Sequence, residues 1–340
     1  MSITSATNAA VSALMMVDRV AAMTSKNIAN ADTPGYHRLE ETNYEMGSNS
    51  GVRTEIRQKR DQYLESELNR AQQSSAESTA LKEGLDQIDA AISDSGVTAA
   101  YDNFMNSTRE LMVTPDNPVR QKDFDIKGRT LTDSMNNLTV QFGQIQRGIQ
   151  QRLDLNTIEL QSVQADLTRL AAQPMSDEVA NQISALQSRA QVLTGSISGY
   201  NKLMSSIIPP IVGQFFDARQ KVTDNINNSY GKDLIDANGR WNYKPAGDVA
   251  ALAQTDGSNF VENFAVLQVS AGAQAAGVDG QLQNENSTVD QLKIQAQQAY
   301  GVNFVDETIK LQQYQKVYEA ASLVLKVQNE MVGSLLNAIA

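Results

Sequence analysis

Matching apolar stripes at the two ends of the chain constrain its fold more than any other sequence feature. Residues 1–30 place apolar or small side chains at alternating steps of three and four, at Ile3, Ala10, Leu14, Val17, Ala21 and Ile28, with Thr7 and Thr24 in the gaps. The last segment repeats the spacing, interrupted once by Gln328, at Leu311, Tyr314, Tyr318, Ala321, Leu325, Val332, Leu335 and Ile339. This alternation is typical of a coiled-coil seam. We therefore expect the two ends to come back together and also to contact copies of the same chain.

Helical periodicity also dominates the interior, which favours a mainly α long-helix bundle. Caps and breakers place the helices at about 61–93, 97–113, 124–172, 176–209, 211–228, 259–300 and 303–340, with Ser176 and Asn303 as N-caps. Residues 39–58 predict a weak β-hairpin that turns around Gly47 to Gly51. Asn238-Gly239 predicts a tight turn near Trp241, the only tryptophan.

The terminal stripes are poor in large side chains, which bears on how they gain order. Fixing about 30 residues costs roughly 30–60 kcal/mol of backbone entropy. Burying the few apolar groups of one stripe returns only ~10–15 kcal/mol. The sequence therefore predicts that both terminal segments are disordered in the monomer and fold on assembly. The alternative is that both stripes are ordinary bundle core.

Charge and composition exclude several classes of protein. The net charge of −11 argues against nucleic-acid binding, and we interpret the basic cluster of Arg53, Arg57, Lys59 and Arg60 as a solvated edge. The absence of cysteine excludes disulfides and thiolate chemistry. No segment is apolar for long enough to span a membrane, and no Sec-type signal peptide is evident, so export would use another route.

No group of residues has the pattern of a catalytic or metal site. His37 is the only histidine, which does not suffice for a zinc site or a nucleophilic triad. Asp236 to Gly239 faintly resembles a calcium loop, but Leu234 and Pro245 occupy positions where that loop requires acidic ligands. The sequence therefore predicts no enzyme activity, no cofactor and no metal.

Two terminal motifs resemble those of a known family. Residues 27–38, Asn-Ile-Ala-Asn-Ala-Asp-Thr-Pro-Gly-Tyr-His-Arg, resemble a motif of bacterial flagellar axial proteins in the form carried by the hook-associated protein 1 (FlgK-type) family. Residues 301–307, followed by 311–315 and Tyr318, resemble the C-terminal motif of the same family. Residues 61–71 and 116–120 show a weaker similarity.

This resemblance implies a structural subunit that forms the hook–filament junction by self-assembly. It implies a terminal coiled-coil polymerisation domain from 1–34 and 302–340, and a helical-bundle domain with small β elements from 35–301. The expected assembly interface comprises Leu14, Val17, Ala21, Ile28, Asn30, Pro34, Gly35, Tyr36, Leu311, Tyr314, Tyr318, Ala321, Leu325, Val332, Leu335 and Ile339.

The resemblance also implies partners and a location. The expected partners are further copies of the chain in a ring, the hook protein, a second hook–filament junction protein, and an export chaperone on the C-terminal helix. Neither nucleic-acid binding nor membrane insertion is expected. The expected location is the extracellular flagellum, reached by type III export without a cleaved signal peptide.

Departures from the family pattern keep alternatives open. The large β-rich outer domain common in the family has no room here, His37 stands where Ser or Thr is usual, and the sequence ends in Ala340 rather than Arg. A hook or rod axial protein is the alternative within the same class. A secreted coiled-coil adhesin or effector is the alternative from another class.

Overall fold

The structure is a computed structural model that describes residues 3–33, 36–45, 52–245, 247–255 and 258–339. Helices dominate it, and a two-stranded antiparallel sheet is the β element, which confirms the predicted mainly α fold with a small hairpin. The elements are α1 (Ile3–Ala29), β1 (Leu39–Glu45), β2 (Val52–Gln58), α2 (Gln62–Ser93), α3 (Val97–Val113), α4 (Pro118–Ala171), α5 (Asp177–Lys202), α6 (Ile208–Tyr230), α7 (Val249–Ala253), α8 (Ser258–Tyr300) and α9 (Phe304–Ile339). A π-helical turn, Leu203–Ile207, joins α5 to α6.

Side-chain caps explain most helix starts. The Ser176 hydroxyl accepts a hydrogen bond from the Val179 amide at 3.2 Å, and Asn303 Oδ1 accepts one from the Val305 amide at 3.0 Å, as predicted. The predicted start of α4 was wrong, because the helix begins at Pro118 rather than near residue 124. Asn117 caps it by accepting from the Val119 amide at 2.9 Å, and proline is well tolerated in a first turn.

The β-hairpin covers one side of α1. Its register runs from Leu39 opposite Gln58 to Glu45 opposite Val52. The predicted turn at Gly47 to Gly51 lies outside the described residues. Buried Leu39 clusters with Val20 and Met23 of α1, so the hairpin and the first helix share a small core.

The chain folds into two compact units, each built from separate stretches of sequence. Unit 1 contains Met1–Arg70, Gln164–Arg189 and Thr288–Ala340, and unit 2 contains Ala71–Val163 and Ala190–Ser287. Helices α2, α4, α5 and α8 contribute residues to both units. The expected functional division at residues 34 and 302 stays a prediction.

Unit 2 has a large aromatic and aliphatic core, closed by the loop that contains Trp241. The Trp241 indole N–H donates to Asp125 Oδ1 at 2.8 Å, and its ring lies 5.4 Å from that of Phe124. The predicted Asn-Gly turn is present, with Gly239 at φ +74°. The tryptophan thus anchors the loop to the core of unit 2, so the loop has a structural role in that core.

Candidate assembly interface

Helices α1 and α9 form an antiparallel pair within unit 1. Thr7, near the start of α1, contacts Gln328 near the end of α9, and Asn27, near the end of α1, contacts Glu307 at the start of α9. The apolar stripe that begins at Leu311 faces α1, and we call it the inner stripe of α9. In it, Ala321 is buried, and Leu311, Tyr314 and Leu325 are half-buried. On α1, Val17, Val20 and Met23 are buried. The sequence prediction that the two ends come together is therefore confirmed.

Polar residues that interrupt the two stripes face each other. The Thr7 hydroxyl donates to Gln328 Oε1 at 2.8 Å, across 321 residues of sequence. A polar pair within an apolar helix contact favours one register of the two helices, because a shift along the helix axis breaks their hydrogen bond. The single break in the C-terminal stripe is thus matched by a polar position in the N-terminal stripe.

Asn27 uses its full hydrogen-bonding capacity at the opposite end of the pair. Its Oδ1 accepts from the Tyr36 hydroxyl and from the Leu39 amide, both at 2.9 Å. Its Nδ2 donates to the Leu39 carbonyl and to Glu307 Oε2, both at 3.0 Å. Since Asn27 is fully buried, these four bonds tie together α1, the segment that leaves it, β1 and α9.

A buried carboxylate completes this junction. Glu307 is fully buried, and its second oxygen accepts from Lys310 Nζ at 3.0 Å, so the charge has both a hydrogen bond and an opposite charge. Burial first, and then the acidic groups Asp177, Glu307 and Glu178, raise the pKa of Tyr36 to about 12. Tyr36 therefore stays a neutral donor to Asn27 at physiological pH.

The first turns of α5 contact the end of the hairpin, which the sequence did not predict. Gln58 Nε2 donates to Asn181 Oδ1 at 2.7 Å, and Arg60 Nη2 donates to the Ala180 carbonyl at 3.3 Å. Arg60, which we interpreted from the sequence as part of a solvated edge, is indeed exposed, but it also donates this hydrogen bond to the Ala180 carbonyl. The end of β2 and the residues after it are thus held by α5, which is distant from them in sequence.

The expectation that both ends are disordered in a single chain does not match the structure. Helices α1 and α9 are formed there and cover each other's inner stripe. The energy comparison treated each stripe alone and omitted the Asn27 and Thr7 contacts, together with the hairpin that covers α1. Each helix has partners within the chain, which that comparison did not count.

The predicted interface residues take several positions. Those that are buried or half-buried in unit 1 are Leu14, Val17, Ala21, Ile28, Asn30, Tyr36, Leu311, Tyr314, Ala321 and Leu325. Tyr318 and Val332 are exposed. Pro34 and Gly35 lie outside the described residues, as do the side chains of Leu335 and Ile339, whose backbone is helical. Contact with other copies through these residues stays a prediction.

Helix α9 carries a second apolar stripe that the sequence reading missed. This outer stripe consists of Val317, Ala320, Val324, Val327 and Met331, and it also alternates strictly between steps of three and four. All five residues are exposed, Met331 to 50%. Each of the five directly precedes a position of the inner stripe, so the two stripes lie about 100° apart around α9. An apolar surface of this width is typical of a helix with more than one partner. The spacing was readable in the sequence, but the richer inner stripe masked it.

Other features of the described residues bear on the class of protein. No helix among them is long and apolar enough to cross a membrane. Within the same residues, no group of three or more His, Cys, Asp or Glu side chains is placed to hold a metal ion.

Comparison with known proteins gives a family match for α1 and the residues that follow it. Residues 8–37 match the model of the flagella basal body rod protein family. No curated protein and no solved structure matched the chain. The matched segment contains Asn27 and Tyr36, two of the residues that join α1 to α9. The match supports a flagellar axial protein family, and with it a structural component of the bacterial flagellum.

Proposed function

We propose that this chain is a structural subunit of the hook–filament junction, assembled into a ring through α1 and α9. The family match at residues 8–37 supports an axial flagellar role, and the motif resemblance at both ends favours the junction. A hook or rod protein fits the family match equally. The mainly helical interior favours the junction over the hook, since hook proteins become β-rich soon after the first helix.

The outer stripe of α9 is the observation that supports assembly through this helix. Its five residues remain exposed although α1 covers Ala321 and, in part, Leu311, Tyr314 and Leu325 of the inner stripe. Exposed Leu323 extends the apolar surface beside it. Burying such a surface against an equivalent helix returns about 25 cal/mol for each Å² of apolar area removed from water. Copies arranged around one axis would each present this stripe to a neighbour.

The proposed partners are those that the family resemblance implies. In the ring, the hook protein lies on one side and a second junction protein on the other. Before assembly, an export chaperone covers the exposed apolar face of α9, because such a face favours aggregation when left in water. Export by the flagellar type III route delivers the subunit to the extracellular flagellum. No catalytic role is proposed.

Charged substitutions in the outer stripe test assembly directly. Val324→Glu combined with Val327→Glu places two carboxylates in the stripe, so we expect a folded chain that does not enter flagella. The matched control is Gln312→Glu combined with Gln315→Glu, which adds the same charge at exposed polar positions of α9. Circular dichroism reports folding, and immunoblotting of sheared flagella reports incorporation. Normal incorporation of the stripe variant would refute the assembly role of this surface.

The location of the protein separates the alternatives. Immunogold labelling of isolated flagella is expected to mark the point where hook and filament meet. Labelling of the rod or along the hook would favour the alternative axial roles. Label on the cell surface or in the medium, away from flagella, would favour a secreted coiled-coil adhesin or effector.

A further inference from the structure

The only histidine of the chain lies buried in the residues that connect α1 to the hairpin. His37 is 2% exposed, and its ring stacks on Tyr300 with centroids 4.5 Å apart. Next to it, the Arg38 amide donates to the Tyr300 carbonyl at 2.9 Å, and the Lys59 amide donates to the Arg38 carbonyl at 2.9 Å. Residues 36–39, which we name the exit segment, therefore join the hairpin to the end of α8.

Two buried acceptor atoms face each other at this site. His37 Nδ1 lies 3.5 Å from Glu65 Oε1 of α2, and neither atom has a hydrogen-bond partner among the described residues. The ring donates a hydrogen bond to the Lys59 backbone. Because Nδ1 has no partner, the donor of that bond is Nε2, so Nδ1 of a neutral ring carries a lone pair. Two acceptors that are buried together without a donor are unfavourable.

One proton placed between these two atoms satisfies both of them. A protonated imidazole donates through both nitrogens, so Nε2 keeps its bond to Lys59 while Nδ1 gains one to Glu65. A charge-assisted N–H···O bond is about 2.7–2.9 Å long. The two atoms, now 3.5 Å apart, therefore need to approach each other by only about 0.6–0.8 Å.

The groups nearest the ring act on its protonation in both directions. Burial disfavours an isolated imidazolium and acts to lower the pKa of His37. The Glu65 carboxylate opposes this effect, the Arg60 guanidinium adds to it, and the hydrogen bond to the Lys59 backbone opposes it. The ring is not isolated, however, because a proton converts a negatively charged pair with Glu65 into a pair without net charge. Burial therefore favours the proton when both members are considered together.

The remaining neighbours leave this balance to the pair itself. On the stacked face, Tyr300 stays neutral, because burial, with a further contribution from Glu65 and Asp61, raises its pKa to about 12. The charges of Arg38 and Lys59 are both paired with the carboxylate of Glu40.

We propose that His37 and Glu65 share one proton that locks the exit segment: the protonated pair holds the segment closed, and loss of that proton loosens it. This inference concerns the single chain and does not depend on the flagellar proposal. Without the proton the two acceptors oppose each other again, which weakens the adjoining contacts of Tyr36 and Leu39 with Asn27.

The sign of the pH dependence follows from linkage. A histidine whose pKa is higher in the closed than in the open segment contributes stability that is fully present below the open-state pKa of about 6.5. That contribution is lost as the pH rises through the closed-state pKa. If the pair raises the pKa by one unit, the opening equilibrium increases about eightfold between pH 6 and pH 9. Few other side chains titrate in this range, because the chain has one histidine and no cysteine.

Nuclear magnetic resonance of the full chain measures whether the pair holds the proton. Because the chain has one histidine, ¹³C-histidine labelling gives a single imidazole signal to titrate. We expect a pKa above 6.5 in the natural chain and a lower one in Glu65→Gln. The matched control is Glu67→Gln, which removes the same charge from α2 at a residue paired with Arg70 and is expected to change the pKa little. A pKa of 6.5 or below in the natural chain, or an unchanged pKa in Glu65→Gln, would overturn the proposal.

Hydrogen exchange tests whether the proton holds the segment closed. Protection of the Arg38, Leu39 and Lys59 amides, corrected for intrinsic exchange at each pH, is expected to fall several-fold between pH 6 and pH 9. His37→Phe keeps an aromatic ring against Tyr300 and cannot bind a proton, so its protection is expected not to fall. If His37→Phe showed the fall of the natural chain, another group would be responsible and the proposal would fail.

The Glu65→Gln variant distinguishes a proton lock from a merely structural contact. Its side-chain amide can donate to Nδ1 of the neutral ring, so it supplies the missing donor without proton uptake. Protection of the same amides at pH 9 is therefore expected to stay close to that of the natural chain at pH 6. This variant also provides the test if His37→Phe does not fold. The same fall with rising pH in Glu65→Gln as in the natural chain would contradict the lock.

Discussion

Replacing Asn27 by alanine is expected to release the junction between α1, β1 and α9. The substitution removes four hydrogen bonds of 2.9–3.0 Å. It leaves at least two buried groups, the Leu39 amide and one oxygen of Glu307, without the partner that Asn27 provides. Leaving a buried polar group without a partner costs about 1–3 kcal/mol, and more when that group is charged. We therefore expect a local loss of about 3–5 kcal/mol at this junction.

Asn30 provides the matched control within the same motif. It is half-buried, and its Nδ2 donates to the carbonyl of Lys26 at 2.9 Å in an exposed position. Asn30→Ala is expected to change stability by only about 0.5 kcal/mol, as at most surface positions. The two variants differ in burial and partners but share residue type and sequence motif.

Amide exchange of Leu39 is the appropriate assay, because its amide is bound directly by Asn27. A chain with two units does not guarantee a two-state transition, so a local measurement is preferable to a melting temperature. A loss of about 3 kcal/mol corresponds to exchange that is faster by roughly 100-fold. Equal exchange of Leu39 in Asn27→Ala and Asn30→Ala, at the natural rate, would refute the assigned role of Asn27.

Two further predictions concern helix contacts. In α4, Gly128→Ala would place a Cβ atom 2.3 Å from the Trp241 ring, whereas Gly148→Ala meets no atom within 4 Å. Native-state hydrogen exchange of the α4 amides is expected to show a loss of about 1–3 kcal/mol for the first variant and a gain of about 0.5–1 kcal/mol for the second, and equal effects would contradict the assigned position of the loop. A double-mutant cycle with Thr7→Val and Gln328→Leu is expected to give a coupling energy of about 0.5–1.5 kcal/mol in native-state hydrogen exchange of the α1 amides, and strictly additive changes would exclude the pairing.

Hydrophobic periodicity predicted the helices and the meeting of the two ends, since it reports which face each helix buries. The caps at Ser176 and Asn303 were also readable, because a cap is a local property of a few residues. The start of α4 was missed because Asn117 was not recognised as a cap, nor Pro118 as the first residue of the helix. Local signals therefore sufficed where the interactions themselves are local.

The polar junction was not predictable from periodicity. Asn27 and Glu307 are separated by 280 residues, and neither contributes to an apolar stripe. Their pairing depends on the register of α1 against α9, which only the folded chain specifies. The hydrogen bond from Gln58 to Asn181 was missed because it also joins residues far apart in sequence that only the folded chain brings together. The outer stripe of α9 was a different kind of omission, because its spacing is present in the sequence but its exposure is not.

Cross-linking within one chain tests most directly whether the ends pair in this register. The chain has no cysteine, so Thr7→Cys with Gln328→Cys introduces a unique pair for a short bifunctional thiol reagent. In dilute monomer we expect efficient cross-linking within the chain. The control pair, Thr7→Cys with Gln312→Cys, moves one thiol about 24 Å along α9 and is expected not to react. Equal reaction of both pairs, or cross-links formed only between chains, would contradict the pairing of α1 with α9.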